Sequence, residues 1–276
     1  MNAELLLMFT LGCDRAYLYA HPERELTADE TQRYDKALAR RATGVPAQYI
    51  IGHQEFWGLD LIVSPAVLIP RPETEHVVET VLELVSLVRS EQSQDQSQRP
   101  QTGVSAPHNL RLVDVGTGSG AIALALAKEL PSAEIHATDI SPEALEVARA
   151  NAARHELTSR IKFQRADLLN GLPDGEFDFV VSNPPYVGES EEDSVQLEVR
   201  KFEPRNAVFA GPTGLEIIDR LISQAHTVLR PNGWLVFEIS GTIAEGVRSL
   251  LSAWNDVAIR NDLQGIARVA IARKST

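Results

Sequence analysis

Strand-like and helix-like segments alternate from Leu110 to the end of the chain, and this alternation constrains the fold more than any other feature. The strand-like segments are the short apolar runs LRLVDVG, EIHATD, IKFQRAD, FDFVVS and WLVFEIS. The alternation predicts an α/β fold with a mostly parallel, doubly wound sheet that helices cover on both faces. Two last runs, DVAIR and RVAIAR, have no full helix between them, so we expect an antiparallel pair at the sheet edge.

Residues 1–46 carry helical signals instead. Apolar residues recur there at three- and four-residue spacing, and Thr27 followed by acidic residues is typical of a helix start. Gly44 and Pro46 end the pattern. We therefore expect a small helical N-terminal domain.

Residues 47–74 predict a bridge between two domains. The stretch QYIIGHQEFWGLDLIVSP has two apolar runs separated by polar residues and Gly58, which is the pattern of a β-hairpin, and an extended connector follows. A helix that begins at Thr74 opens the larger domain, residues 75–276. Residues 90–108 are polar and rich in Gln and Ser, so we expect a flexible insert there.

The overall composition narrows the class of protein. A net charge of −12 argues against a protein that coats nucleic acid, because phosphate binding needs Lys and Arg. The single cysteine, Cys13, excludes a disulfide within the chain, which suits a reducing cytosol. No segment approaches the ~18 apolar residues of a membrane span, and Glu4 stands where an export signal carries positive charge. These features predict a cytoplasmic protein.

The turn after the first predicted strand, LRLVDVG, spans residues 116–120 and contains three glycines in five residues. Such a turn lets a ligand approach the backbone, and the following helix N-terminus offers free N–H groups. Asp139 ends the next strand, roughly 20 residues downstream, as expected of a carboxylate that binds ribose hydroxyls. A nucleoside cofactor is predicted. NAD remains a candidate, because Gly116, Gly118 and Ala121 also fit the GxGxxG/A pattern, and a tight turn with a capping Asp is the alternative without a ligand.

The fourth strand, FDFVVS, is followed by Asn183, Pro184, Pro185 and Tyr186. Ligands of open α/β sheets bind outside the carboxyl ends of the strands, so this corner faces the same crevice as the glycine-rich turn. Asn183 supplies a carbonyl acceptor and an amide donor, and Pro184 supplies a second carbonyl whose direction Pro185 restricts. With the flat ring of Tyr186, this predicts a clamp for a planar amino group, either a carboxamide or the amine of a base. A plain proline turn is the simpler alternative.

Asn-Pro-Pro-Tyr together with the glycine-rich loop resembles the amino-methyltransferases that use S-adenosylmethionine. A longer set of segments resembles the protein-(glutamine-N5) methyltransferases of peptide chain release factors, the PrmC/HemK family. These segments are RRATGVPAQYIIGHQEFWGLDLIVSPAVLIPRPETE, DVGTGSGAIALALA, TDISPEALEVARANA, SNPPYV, EVRKFEPRNAVFAGPTGLE and DLQGIARV. The resemblance implies a Rossmann-like class I S-adenosylmethionine-dependent methyltransferase domain, preceded by a helical domain and a β-hairpin bridge.

The resemblance also implies an activity and partners. The methyl group of S-adenosylmethionine would pass to the amide N5 of the glutamine in the Gly-Gly-Gln motif of release factors, leaving S-adenosylhomocysteine. We expect a monomer that binds release factors and has neither a stable nucleic-acid partner nor a membrane. The histidines are scattered without ligand spacing, so no metal is expected.

The site residues implied by the resemblance fall into two groups. The catalytic residues are Asn183, Pro184, Pro185 and Tyr186. The cofactor-binding residues are Gly116, Thr117, Gly118, Ser119, Gly120, Asp139, Asp167, Leu168 and Asn183. The glycine-rich loop would pack against the methionine part, Asp139 would bind the ribose, and Asp167 would meet the adenine amine. For Asp167, a helix or turn cap is the alternative.

Residues of the bridge and of a later strand complete the expected site. Arg71, Glu73 and Thr74 either close the site from the bridge or form a capped helix start, since Thr74 suits an N-cap. Glu238 is either a buried partner of the site or a strand-end acid.

The chain departs from the family pattern at three places. It is expected to lack the family's first helix, the insert at 90–108 is longer than usual, and Glu238-Ile239-Ser240-Gly241 stands where the family has Glu-Ile-Gly.

Three rival functions compete with this interpretation. An N6-adenine-type amino-methyltransferase would use the same clamp on nucleic acid, but it must extrude the base and usually carries a basic module. A non-catalytic nucleoside-binding protein could share the fold, because a fold alone does not prove catalysis. NAD-dependent hydride transfer leaves the Asn-Pro-Pro-Tyr corner unexplained.

Overall fold

A computed structural model describes residues 2–98 and 109–276. The first part of the chain forms four helices: α1 (Asn2–Leu11), α2 (Arg15–Ala20), α3 (Ala28–Ala42) and α4 (Ala47–Ile51). Thr27 begins α3 with a capping box, because its hydroxyl accepts the Glu30 N–H and the Glu30 carboxylate accepts the Thr27 N–H. The helical prediction for this region is confirmed. Across both described ranges, no helix is both long and apolar enough to cross a bilayer.

An antiparallel hairpin follows, with strands β1 (His53–Phe56) and β2 (Leu59–Ile62). The hairpin prediction is confirmed for these strands but wrong for residues 48–51, which belong to α4. Gly52 ends α4 in the left-handed region, with a φ of 80°. A short apolar run suits one helical turn as well as a strand, so its pattern could not separate the two.

A 3-10 turn (Pro72–Thr74) leads from the connector into α5 (Glu75–Gln98). The expected flexible insert at 90–108 is therefore wrong for residues 90–98, which continue this helix. That stretch contains no glycine or proline to end a helix, and a polar composition forecasts little burial but does not exclude helix. Residues 99–108 of the same prediction lie outside the described residues.

Seven strands form one mixed sheet at the centre of the molecule. They are β3 (Arg111–Val115), β4 (Glu134–Asp139), β5 (Ile161–Arg165), β6 (Phe177–Ser182), β7 (Leu229–Glu238), β8 (Asn255–Asn261) and β9 (Ala267–Arg273). Their order is β5-β4-β3-β6-β7-β9-β8. The neighbouring pairs from β5 to β7 are parallel, and β9 is antiparallel to both β7 and β8. Both the parallel sheet and the antiparallel edge pair are confirmed.

Helices cover both faces of this sheet. After α5 come α6 (Ala121–Glu129), α7 (Pro142–Arg154), α8 (Leu197–Phe202), α9 (Arg205–Val208), α10 (Glu216–Val228) and α11 (Ala244–Leu250). Successive residues of a strand point to opposite faces, so Leu112 and Phe179 join one apolar core with α5 and α6. Val113 and Val180 join the other core with α10 and α11. This arrangement confirms the doubly wound α/β fold.

Asn151, a fully buried residue of α7, joins the hairpin to the glycine-rich turn. Its Oδ1 accepts the Ile62 N–H at 2.7 Å, and its Nδ2 donates to the carbonyls of Ile62 at 3.0 Å and Ser119 at 2.8 Å. One amide thus satisfies three backbone groups from two separate segments. It holds the bridge and the turn in a fixed relation.

Replacing Asn151 with alanine should lower the free energy of unfolding by about 3 kcal/mol, because buried backbone groups would lose their partners. Urea denaturation of the whole chain measures the change. Asn170→Ala is the matched control: its side chain is exposed, so it should shift stability by less than about 0.5 kcal/mol. Equal effects of the two substitutions would contradict the role assigned to Asn151.

Candidate active site

The carboxyl ends of the parallel strands open into one cavity of about 490 Å³. Most of the predicted site residues line it: Gly116, Thr117, Gly118, Ser119, Asp139, Asp167, Leu168, Asn183 and Pro185. Thr74 of the bridge lines the cavity as well. The other residues named for the site lie outside this lining: Arg71, Glu73, Gly120, Pro184, Tyr186 and Glu238. The topology therefore brings at least five separate segments of the chain around one space.

The glycine-rich turn combines two different requirements for glycine. Gly118 has a φ of 55°, and its N–H donates to Asp139 Oδ2 at 2.9 Å, so the turn is folded back against the end of β4. Gly120 allows close helix packing, because a Cβ there would lie 2.4 Å from the Leu124 side chain and 3.3 Å from Ala148. Gly120 is therefore a packing residue at the start of α6, and Gly118 is a residue of the cavity wall.

Asp139 both faces the cavity and organises its wall. Besides accepting the Gly118 N–H, its carboxylate accepts the Ser141 N–H at 2.9 Å. Burial raises the pKa of Asp139, and these backbone donors lower it in part. Ser141 in turn caps α7, because its hydroxyl accepts the Ala144 N–H at 3.1 Å.

Asp114 is a cavity residue that the sequence analysis did not assign to the site. Its Oδ2 accepts the Thr117 hydroxyl at 2.6 Å and the Ala123 N–H at 3.1 Å. Its Oδ1 is buried and has no hydrogen-bond partner among the described residues. Burial raises the pKa of Asp114 to about 7. The signal in the sequence was an acidic residue inside an apolar strand, directly before the glycines.

Asp167 and Leu168 stand beyond the end of β5. Arg220 of α10 donates to Asp167 Oδ2 at 2.5 Å, and both residues line the cavity. Leu168 has a φ of 56°, an uncommon conformation for a side chain of its size, and its carbonyl accepts the Thr138 hydroxyl at 2.9 Å. Arg220 was not predicted, because its place beside Asp167 depends on how α10 packs on the sheet.

Hydrogen bonds join the Asn-Pro-Pro-Tyr corner to Thr74 and Glu238. Asn183 Nδ2 donates to Thr74 Oγ1 at 3.1 Å, Thr74 Oγ1 donates to Glu238 Oε2 at 2.6 Å, and the Tyr186 hydroxyl donates to Glu238 Oε1 at 3.0 Å. The Thr74 hydroxyl donates to Glu238, so it belongs to the hydrogen-bonded corner. Glu238 is a buried partner of the corner, which settles the alternative of a plain strand-end acid.

Burial dominates the electrostatics of this corner. Thr74 and Glu238 are buried, with only 3% and 2% of their surface exposed. Desolvation raises the pKa of Glu238, and the hydrogen bonds from Thr74 and Tyr186 lower it in part. The pKa of the Tyr186 phenol is well above its usual range, because the group is buried and lies beside the Glu238 carboxylate.

Arg71 does not line the cavity and instead anchors the connector. Its guanidinium donates to Glu203 Oε1 at 2.5 Å, and Glu203 Oε2 accepts the Ile69 N–H at 3.1 Å. Glu203 is 6% exposed and follows α8, so this ion pair holds residues 69–71 against a distant part of the chain. Glu73, partly buried, lies in the 3-10 turn before α5.

Comparison with protein families places this chain among known sequences. A model described as the PrmC N-terminal domain matches residues 1–52, and one described as the methyltransferase small domain matches residues 101–201. A protein of Koribacter versatilis named release factor glutamine methyltransferase is 53% identical over 279 residues, which cover 100% of this chain and 91% of that protein. A protein of the same name from Chlorobaculum tepidum is 41% identical, covering 97% and 88% of the two chains.

A solved structure agrees in fold at much lower sequence identity. The hMettl16 catalytic domain, solved in complex with MAT2A 3′UTR hairpin 6, superposes with a TM-score of 0.58 and 17% identity. The match covers 94% of this chain and 92% of that one. It supports the Rossmann-like class I methyltransferase fold.

Asp114→Asn should change how stability depends on pH. A carboxyl group whose pKa is higher in the folded than in the unfolded protein stabilises the fold at pH values below the unfolded-state pKa. For Asp114 this stabilisation is lost as the pH rises to about 7. Asparagine keeps an oxygen for Thr117 and Ala123 and has no such titration. The variant should therefore gain stability relative to the wild type between pH 5 and 7.5, by a few kcal/mol at most.

Denaturation of the cofactor-free protein at several pH values measures this difference. Asp174→Asn, at an exposed position, is the control and should follow the wild type throughout. A constant difference between Asp114→Asn and wild type across this range would contradict the raised pKa.

Proposed function

The chain belongs to the family of release factor glutamine methyltransferases, and from this premise we propose that it methylates the side-chain amide N5 of a glutamine in peptide chain release factors, with S-adenosylmethionine as methyl donor. The glutamine is that of the Gly-Gly-Gln motif. One observation carries the proposal: the acceptor corner at Asn183 and the glycine-rich turn line the same cavity. A cofactor and an amide can therefore meet in one space.

The residues of the cavity fit S-adenosylmethionine, which carries an ammonium group, ribose hydroxyls and an adenine amine. Asp114 offers a buried oxygen without a partner among the described residues, and the carboxylate of Asp139 offers acceptors at the end of β4. We assign the glycine-rich turn to the methionine part, Asp139 to the ribose, and Asp167 with Leu168 to the adenine. When bound, the cofactor supplies an electrophilic methyl group on its sulfonium.

The protein's own contribution is to bind and orient the amide. An amide nitrogen is a poor nucleophile, because its lone pair is delocalised into the carbonyl. Asn183 Oδ1 and the Pro184 carbonyl would each accept one N–H of the glutamine, which turns the lone pair towards the donor and stabilises positive charge as it develops on nitrogen. Pro185 restricts the direction of the Pro184 carbonyl, and the Tyr186 ring borders the planar group.

We propose that the protein works as a monomer. The net charge of −12 supports a protein substrate over stable binding of nucleic acid. We propose a cytoplasmic location as well, because the proposed substrate works on ribosomes. We also propose residues 1–46 as the substrate-docking domain and residues 47–74 as the bridge to the methyltransferase domain, residues 75–276.

The function is tested by offering the protein competing substrates. The protein is incubated with labelled S-adenosylmethionine and either a purified release factor or DNA, and mass spectrometry locates the label. We expect the label on the glutamine of Gly-Gly-Gln. Label on DNA alone would establish the N6-adenine-type alternative and contradict the proposal.

Asn183→Ala should lower the rate of glutamine methylation by at least roughly 10²-fold, because the amide would lose one of its two acceptors. Binding of S-adenosylhomocysteine, measured by calorimetry, should stay within a few-fold of the wild type. Asn255→Ala, at an exposed position of β8, serves as the control with unchanged rate. Wild-type turnover by Asn183→Ala would exclude the proposed clamp.

Asp139→Ala should instead weaken binding of the cofactor by about 10- to 100-fold, since hydrogen bonds to a charged group contribute about 1.5–3 kcal/mol. Calorimetry with S-adenosylhomocysteine measures the affinity, and thermal unfolding of the cofactor-free variant separates binding from folding. Asp174→Ala is the exposed control. An unchanged affinity in a folded Asp139→Ala protein would refute the ribose contact.

A further inference from the structure

Three elements far apart in the sequence meet in the hydrogen-bonded chain Asn183–Thr74–Glu238–Tyr186. Glu238 ends β7, Thr74 ends the 3-10 turn of the connector, and Asn183 follows β6. Glu238 and Thr74 touch no substrate in the mechanism above. Their buried positions therefore call for a different role.

The direction of each hydrogen bond follows from the groups themselves. An ionised carboxylate only accepts, so the single hydroxyl proton of Thr74 points to Glu238 at 2.6 Å. Thr74 Oγ1 can then only accept from Asn183, which must present its Nδ2 at 3.1 Å. As a consequence, Asn183 Oδ1 is turned away from Thr74 and is available to the cavity that Asn183 lines.

Burial and a second hydrogen bond keep this direction fixed. Water cannot replace the bonds, because Thr74 and Glu238 are almost completely buried. The Tyr186 hydroxyl donates to the other oxygen of Glu238, so the carboxylate is held at both ends. The orientation of the Asn183 amide thus depends on a carboxylate that it does not touch.

We propose that Glu238, acting through Thr74, is a positioning residue that sets which atom of Asn183 faces the cavity, and that this selects the hydrogen-bond-donating amide of glutamine over the accepting carboxylate of glutamate. The inference rests on the proposed function. With Oδ1 facing the cavity, Asn183 accepts from an amide N–H and repels a carboxylate. With Nδ2 facing the cavity, the preference reverses.

Glu238→Gln is the substitution that should invert the chain. Tyr186 still donates to Oε1 of the substituted side chain, so the Nε2 of that side chain donates to Thr74 Oγ1. The Thr74 hydroxyl proton then points to Asn183 and binds its Oδ1, which is drawn away from the cavity. Methylation should fall by at least roughly 10²-fold. Relative binding of the normal release factor and of one carrying Gly-Gly-Glu should shift by about tenfold or more towards the glutamate form.

Two substitutions of Thr74 provide the matched pair. Thr74→Ser keeps the hydroxyl and should retain the preference for glutamine. Thr74→Val keeps the shape but removes both hydrogen bonds, so the amide is no longer held and the preference should disappear. This pair decides the question even if Glu238→Gln does not fold. Binding of S-adenosylhomocysteine should be unchanged in every folded variant.

The pH profile of the rate gives an independent measurement. Desolvation raises the pKa of Glu238, as does the charge of Glu73, while hydrogen bonds from Thr74 and Tyr186 and the charge of Arg268 lower it. A protonated Glu238 has a donor where the ionised group only accepts, so the wild-type rate should decline on the acid side. The residual rate of Glu238→Gln should lack this decline.

The outcomes separate the two proposals. A wild-type protein that leaves release factors unmethylated overturns the proposed function and, with it, this inference. A wild-type protein that methylates the glutamine, while Glu238→Gln or Thr74→Val keeps the full preference for glutamine over glutamate, overturns only the positioning role. Loss of the preference in both, with retention in Thr74→Ser, establishes it.

Discussion

The parallel pairing of β3 with β6 is the contact on which the site depends. Val115 lies beside Ser182 at the last step of this pairing, so the glycine-rich turn and Asn183 leave the sheet next to each other. The Ser182 hydroxyl donates to the Val115 carbonyl at 2.7 Å and extends the pairing beyond the backbone. Strand order changes direction here, with β4 and β5 on one side and β7 on the other, which opens a crevice at this edge.

The connector before α5 becomes part of this crevice through buried polar contacts. The ion pair of Arg71 with Glu203 holds it against the larger domain, and the bond from the Tyr49 hydroxyl to the Val67 carbonyl at 2.6 Å ties it to α4. Thr74 then reaches Glu238 at the end of β7. Each contact is largely removed from water, where a missing partner is costly, so the connector has little freedom to adopt another position.

Two buried carboxylates show that the site is organised at a cost in stability. Asp114 lines the cavity, Glu238 bonds to Thr74 in its wall, and burial raises the pKa of both. Desolvated acids destabilise a fold unless donors surround them. Glu238 has two donors, Thr74 and Tyr186, whereas Asp114 keeps one oxygen without a partner among the described residues. Such unpaired capacity is what a cationic ligand group can satisfy.

The sequence by itself determined the alternation of strands and helices along the chain. The doubly wound sheet, the glycine-rich turn, Asp139 and the Asn183 corner all follow from local patterns and from the rule that ligands bind at strand ends. It misplaced residues 48–51 and 90–98, because short or polar helices lack the apolar period that identifies them. Only the tertiary structure decided that Thr74 lines the cavity, that Arg71 pairs with Glu203 instead, and that Glu238 accepts hydrogen bonds from Thr74 and Tyr186. Those partners are separated by more than 50 residues in the chain, and no local pattern records which buried donor meets which acceptor.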